Sequence, residues 1–109
     1  MMQLLATETL THLPSAILPR LVTIFASTSP ALLEEIQQAA ASQDLLNMAK
    51  AAHNLKGSCL SLGAEHMAQL CKDLQEKGEA NQATGVQESI NELIEIYPAT
   101  LAALQSFKA

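Results

Sequence analysis

Apolar residues recur every three or four positions through most of this sequence, and almost all of them are aliphatic. Of the 109 residues, 49% are hydrophobic but only 3% are aromatic. The core must therefore be built from Leu, Ile, Ala and Met, which suits close-packed helices better than a β-sandwich. The pattern predicts an all-α fold, and the length fits one domain with a single core.

The first half of the chain carries signals for two long helices. Pro19 is tolerable only in a first helical turn, so a helix is expected to start near it. Ser29-Pro30 resembles an N-cap followed by proline at the first helical position, which predicts either a new helix or a bent continuation. Ser42 is the next N-cap candidate, for a helix over about residues 43–61.

The second half carries signals for two more helices. Gly63 is expected to end the preceding helix, and the helix after it is expected to fade at a C-terminal glycine, Gly78. Thr84 and Gln87 have the spacing of a capping box at the start of the last helix. That helix is expected to continue with a kink at Pro98, because apolar residues keep the helical period on both sides of it.

Four long helices joined by short connections fit an up-and-down four-helix bundle. We assign the bundle to residues 15–109. Residues 1–14 show no sustained period and are expected to form an arm, a short helix or a cap.

One helical face combines a histidine, a lysine and a glycine. Because Lys56 and Gly57 follow His53 by three and four residues, all three lie on one side of a helix. Other residues expected on this exposed face are Leu46, Ala49, Lys50 and Leu60. Residues expected on the buried side are Met48, Ala51, Leu55 and Leu62. The period therefore predicts that His53 is exposed to solvent.

These three residue types suit the transfer of a phosphoryl group. A neutral imidazole can attack phosphorus without first losing a proton. Lys56 would disfavour protonation of His53 and attract phosphoryl oxygens. A glycine in mid-helix lowers helix stability by about 1 kcal/mol relative to alanine, so the presence of Gly57 needs an explanation. Close approach of a partner molecule is one reason, and packing against a neighbouring helix is the alternative.

Residues 52–74 read AHNLKGSCLSLGAEHMAQLCKDL, and this string resembles the histidine-containing phosphotransfer (Hpt) domains of bacterial multistep phosphorelays. The resemblance spans roughly residues 18–104. It implies a four-helix bundle in which His53 is the phosphorylated residue, Lys56 stabilises the phosphate and Gly57 gives the partner access.

The resemblance also implies the partners. These are receiver domains of a hybrid sensor kinase and of response regulators, which bring their own aspartate and magnesium, so that the chain needs no cofactor of its own. Leu46, Ala49, Lys50 and Leu60 are expected to form the docking surface for such a receiver. The alternative is that Leu46, Ala49 and Leu60 are partly buried beneath neighbouring side chains.

Charge and motifs exclude several other functions. The net charge of -5, with only six Lys and Arg residues, argues against nucleic-acid binding. We find no signal peptide and no apolar run that could cross a bilayer, so a cytoplasmic protein is expected. No glycine-rich phosphate loop is present, so the chain is expected to be a phosphocarrier and not a kinase.

No chemical role is expected for the two cysteines or for the other two histidines. Cys59 and Cys71 are expected to be free, buried thiols at different heights of a helical hairpin. Their spacing from His66 does not match a metal site. His12 and His66 are expected to face solvent.

Two alternative functions stay open. One is the phosphotransfer domain of a chemotaxis-type kinase, although the 109 residues contain no ATP-binding region. The other is a helical interaction module that uses the same face without phosphotransfer. A monomer is expected, because a bundle with an internal core has no need to dimerise.

Overall fold

The computed structural model describes residues 2–107, which form five helices and no strand. The helices are α1 (Thr7–Thr11), α2 (Leu18–Ala41), α3 (Leu45–Ser61), α4 (Glu65–Glu79) and α5 (Val86–Ser106). None of these five helices combines the length and the apolarity needed to cross a bilayer. The predicted all-α fold is confirmed.

The four long helices form a closed bundle. Each packs against its neighbours in the chain, and α5 packs back against α2, which is the arrangement of an up-and-down bundle. The core is aliphatic, as the composition requires. Its fully buried side chains include Ile36, Met48, Leu55, Met67, Leu74, Ile90 and Leu93.

Helix α2 runs without a break through Pro30, so the continuous helix is the correct one of the two predicted alternatives. Ser29 is fully buried and does not cap a new helix. Its Oγ donates a hydrogen bond to the Phe25 carbonyl (2.6 Å) and lies 2.6 Å from the Tyr97 hydroxyl of α5. The serine therefore joins α2 to α5, and the predicted N-cap at Ser29 was wrong.

The start of α3 also differs from its prediction. The N-cap is Asp44, whose carboxylate accepts a hydrogen bond from the Asn47 backbone N–H (3.3 Å). Ser42 is instead the C-cap of α2. Gln43 separates the two helices with a left-handed backbone (φ 60°). This turn leaves Asp44, and not Ser42, next to the first turn of α3.

Gly78 does not end α4, as the sequence predicted, but lies buried inside its last turn. A Cβ atom there would come within 2.7 Å of the Ala49 Cβ and would overlap the Leu45 carbonyl oxygen. The glycine is needed because the backbones of α3 and α4 approach each other closely at this level.

The last helix confirms one prediction and corrects another. Helix α5 continues through Pro98, as expected. Its N-cap is Gly85, with φ 81°, so the predicted capping box of Thr84 and Gln87 was wrong. A positive φ favours glycine, which supplies the turn but no capping side chain.

The N-terminal segment packs on the turn between α3 and α4. Leu10 of α1 is fully buried, and the Ala6 N–H donates a 2.6 Å hydrogen bond to the Gly63 carbonyl. Gly63 ends α3 as predicted, with φ 67°. A Cβ at this residue would lie 2.7 Å from the Ala6 carbonyl oxygen, so Gly63 also allows α1 to approach.

Cys59 of α3 and Cys71 of α4 are free and buried, as predicted. They do not lie at different heights, however. The neighbouring Cys71 thiol, together with burial, raises the pKa of the Cys59 thiol far above its ordinary value. The Cys59 thiol therefore stays protonated, which suppresses its reactivity.

We expect both thiols to resist alkylation in the native protein, because modification needs an exposed thiolate. In a pulse of iodoacetamide, mass spectrometry should find no adduct on the native chain and two adducts after denaturation in urea. Rapid modification of Cys59 in the native chain would contradict its burial.

Candidate functional site

Helix α3 presents His53 to solvent, as its period predicts. Leu46 and Leu60, one heptad before and after it, are each 58% exposed although both are large and apolar. Lys50 is exposed on the same side. These residues form an apolar and basic stripe centred on the imidazole.

The predicted exposure of Ala49 was wrong, since this residue is only 2% exposed. The helical period places it beside the exposed stripe, but α4 approaches α3 most closely at this point. The methyl group of Ala49 faces Gly78, and the lack of a side chain there lets the α4 backbone cover it. Ala49 belongs to the floor of the site.

Gln75 of α4 contacts two polar side chains of α3, His53 and Lys56. Its Oε1 accepts a hydrogen bond from the Lys56 Nζ (2.8 Å) and lies 3.3 Å from the His53 Nδ1. Its Nε2 donates to the Glu79 Oε2 (3.1 Å), one turn further along α4. One amide thus contacts an imidazole, an ammonium group and a carboxylate.

These contacts favour one tautomer of the neutral His53 ring. A carbonyl oxygen can only accept, so the contact with Gln75 is a hydrogen bond in the tautomer of His53 that carries its proton on Nδ1. The neutral ring then has its lone pair on Nε2. The arrangement presents a nucleophilic nitrogen on an exposed side chain without any catalytic base.

A groove of about 510 Å³ lies beside His53, between α3 and α4. Its lining residues are Leu46, Ala49, Lys50, His53, Asn54, Gln75 and Glu79. Leu60 does not line this groove. It lies with Lys56 in a second hollow of about 420 Å³, which also contains Gln69, Lys72 and part of the N-terminal segment.

Gly57 faces open space. No described atom would lie within 4 Å of a Cβ placed there, once its own chain neighbours and helix backbone are left out. Packing against a neighbouring helix, the alternative explanation for this glycine, therefore finds no support among residues 2–107. The opening lies one turn after His53 on the exposed face.

Gln75 and Glu79 are the site residues that sequence reasoning missed. A signal for Gln75 was nonetheless present, because the α3–α4 hairpin turns at residues 62–64. His53 precedes Ala64, and Gln75 follows Ala64, by the same number of residues. The antiparallel helices therefore place His53 and Gln75 side by side. Lys72 and Gln69 face Lys56 and Leu60 for the same reason.

The other two histidines lie elsewhere. His12 is exposed, and its Nδ1 contacts the Glu8 carbonyl (2.6 Å). His66 was expected to face solvent, but it is only 23% exposed and its Nε2 lies 2.7 Å from the Glu92 carboxylate of α5. Among the described residues, no group of three His, Cys, Asp or Glu side chains could hold a metal ion.

The fold and the site together define a class: a small helical bundle that presents one histidine, with a lysine and a glycine beside it, on an exposed helical face. Residues 20–106 match the model of the Hpt domain family. The chain belongs to this family, and the resemblance stated from the sequence is confirmed.

A curated relative supports the same assignment. The chain is 44% identical over 54 residues to the sensor protein TorS of Escherichia coli (strain K12). The aligned segment covers 50% of this chain but only 6% of the relative's length. No solved structure matched the chain significantly.

Replacing each of the two helical glycines by alanine should have opposite effects on the stability of the fold. Gly57→Ala should raise the free energy of unfolding by about 0.5 to 1 kcal/mol, because alanine favours the helix and its methyl group meets no neighbour. Gly78→Ala should lower it by about 1 to 3 kcal/mol, because the new methyl group overlaps α3.

Urea denaturation of both variants measures these changes directly. Equal losses of stability at the two positions would show that Gly57 also packs against another part of the chain.

Proposed function

We propose that this chain is a phosphorelay intermediate that carries a phosphoryl group on the Nε2 of His53. Hpt domains are phosphocarriers that interact with receiver domains in phosphorelays. The observation that carries the proposal for this chain is the contact of the His53 Nδ1 with Gln75, which leaves the lone pair of an exposed imidazole on Nε2.

The transfer needs only one bond to form and one to break. The Nε2 lone pair attacks the phosphorus of an aspartyl phosphate on a receiver domain. As the N–P bond forms, the P–O bond breaks, and its electron pair leaves with the aspartate carboxylate. His53 keeps its proton on Nδ1, and Gln75 continues to accept that hydrogen bond. The reverse reaction delivers the phosphoryl group to the aspartate of another response regulator.

Lys56 and Gly57 assist this step in different ways. Phosphoryl transfer depends on in-line positioning and charge compensation. The Lys56 ammonium group already shares Gln75 with His53, so it lies within reach of phosphoryl oxygens on the imidazole. The open space at Gly57 lets the partner's aspartate approach the ring.

The docking surface in this proposal consists of Leu46, Lys50 and Leu60, with Ala49 in the floor of the groove between α3 and α4. Large exposed apolar side chains around a polar centre are typical of a protein interface. The partner is a receiver domain, which binds the magnesium ion that the reaction needs.

Further parts of the proposal concern the context of the protein. We infer a monomer in the cytoplasm that binds neither nucleic acid nor a membrane, and that has no kinase activity. The net charge of -5 supports the first exclusion, because phosphate backbones attract basic surfaces.

The test is phosphorylation by a panel of receiver domains loaded with acetyl phosphate. We expect an acid-labile, base-stable label on the wild-type chain. The variant His53→Gln should lose this label while its circular dichroism stays unchanged, because the side chain is exposed. His12→Gln is the matched control and should keep the label. Retained labelling of His53→Gln would place the site elsewhere and contradict the proposal.

A large side chain at Gly57 should obstruct the partner and not the fold. We expect Gly57→Leu to slow transfer from a phosphorylated receiver by at least about tenfold, because small displacements of reacting groups cost large factors in rate. Ala102→Leu, on the exposed side of α5, is the control and should leave the rate unchanged. If Gly57→Leu transferred as fast as the control, Gly57 would have no role in access.

A further inference from the structure

Glu79 is the last residue of α4, and its carboxylate is the third partner of the Gln75 amide. Gln75 and Glu79 are one turn apart, so their side chains lie on the same face of α4. Glu79 also lines the groove beside His53. The carboxylate is thus connected to the imidazole through a single intervening side chain.

We propose that Glu79 is a positioning residue for phosphotransfer: it holds the Gln75 amide with its oxygen towards His53, and so keeps the reactive lone pair on Nε2. This inference rests on the proposed function, since it concerns the same histidine. Glu79 itself does not touch the imidazole.

The two ends of the Gln75 amide group differ, because the oxygen can only accept a hydrogen bond and the NH₂ group can only donate one. In the observed orientation, the Gln75 oxygen faces two donors and its NH₂ group faces an acceptor. A reversed amide would place NH₂ against the Lys56 ammonium group and oxygen against the Glu79 carboxylate, and both contacts would be lost. A reversed amide would also present a donor to the Nδ1 of His53, which favours the opposite tautomer.

Lys56 alone is a weaker anchor for this orientation during the reaction. Its ammonium group is also the cation that is placed to contact the incoming phosphoryl oxygens. Once Lys56 turns towards that charge, Glu79 is the partner that still holds the Gln75 amide. Both residues therefore orient the amide in the resting site, and Glu79 keeps it oriented during the transfer.

The position of Glu79 in the helix argues against a purely structural role. A carboxylate in the last turn of a helix lies at the negative end of the helix dipole, where it is unfavourable. Removing it should leave α4 at least as stable. Glu76 lies in the same last turn and is exposed, so Glu76→Ala removes the same charge from the same unfavourable end without removing a hydrogen bond of the Gln75 side chain.

The first measurement is ¹⁵N NMR of the histidine ring nitrogens under alkaline conditions, where the imidazole is neutral. In the wild type and in Glu76→Ala, His53 should carry its proton on Nδ1. In Glu79→Ala, the population should shift towards the Nε2-protonated tautomer by roughly threefold to tenfold, the factor expected for one hydrogen bond. Glu79→Gln keeps an acceptor oxygen and should partly restore the wild-type population.

The second measurement is the rate of transfer from a phosphorylated receiver domain. Glu79→Ala should slow transfer by roughly threefold to tenfold, Glu79→Gln should recover part of this loss, and Glu76→Ala should match the wild type. Tautomer populations and rates in Glu79→Ala that equal those in Glu76→Ala would overturn the inference.

Failure of this inference and failure of the proposed function give different results. If Glu79 does not position Gln75, wild type and Glu79→Ala should accept the label on His53 equally well. If His53 is not phosphorylated at all, the wild-type chain stays unlabelled, and the NMR comparison alone still decides whether Glu79 sets the tautomer.

Discussion

The close contact between α3 and α4 at Gly78 and Ala49 sets the geometry of the whole site. Because Gly78 has no side chain, the α4 backbone comes against the Ala49 methyl group and the Leu45 carbonyl. Gln75, one turn earlier in α4, then lies level with His53, one turn later in α3. A side chain at Gly78 would push the helices apart and lengthen the contacts of Gln75 with His53 and Lys56. In our proposal, the close packing of the two helix backbones therefore favours one tautomer of the exposed His53 ring.

Three charged or polar side chains have different roles around His53 in our proposal. In the proposed reaction, Gln75 fixes the proton on Nδ1, Lys56 supplies positive charge for phosphoryl oxygens, and Glu79 holds Gln75 in the required orientation. The nucleophile itself needs no base, since neutral imidazole already has a lone pair. The fold therefore contributes position and charge, which are the main requirements of phosphoryl transfer.

The helical period was enough to predict what depends on one helix alone. It placed His53, Leu46 and Leu60 on an exposed face and Leu55 in the core, and the structure agrees. The period failed where a second helix determines which residues are buried and which belong to the site. Ala49 is covered by α4, and Gln75 enters the site only through the register of the hairpin. Helix ends were also misplaced, because the left-handed residue Gln43 moved the N-cap of α3 from Ser42 to Asp44.

The bond between phosphorus and the Nε2 of His53 is the central feature of the proposed reaction. NMR of the phosphorylated wild-type chain, with ¹⁵N-labelled histidine and ³¹P detection, identifies the nitrogen that bears the phosphoryl group. We predict phosphorus coupled to Nε2 of His53, with the proton on Nδ1. Phosphorus on Nδ1, or on a residue other than His53, would contradict the role assigned to Gln75 and the account built on it.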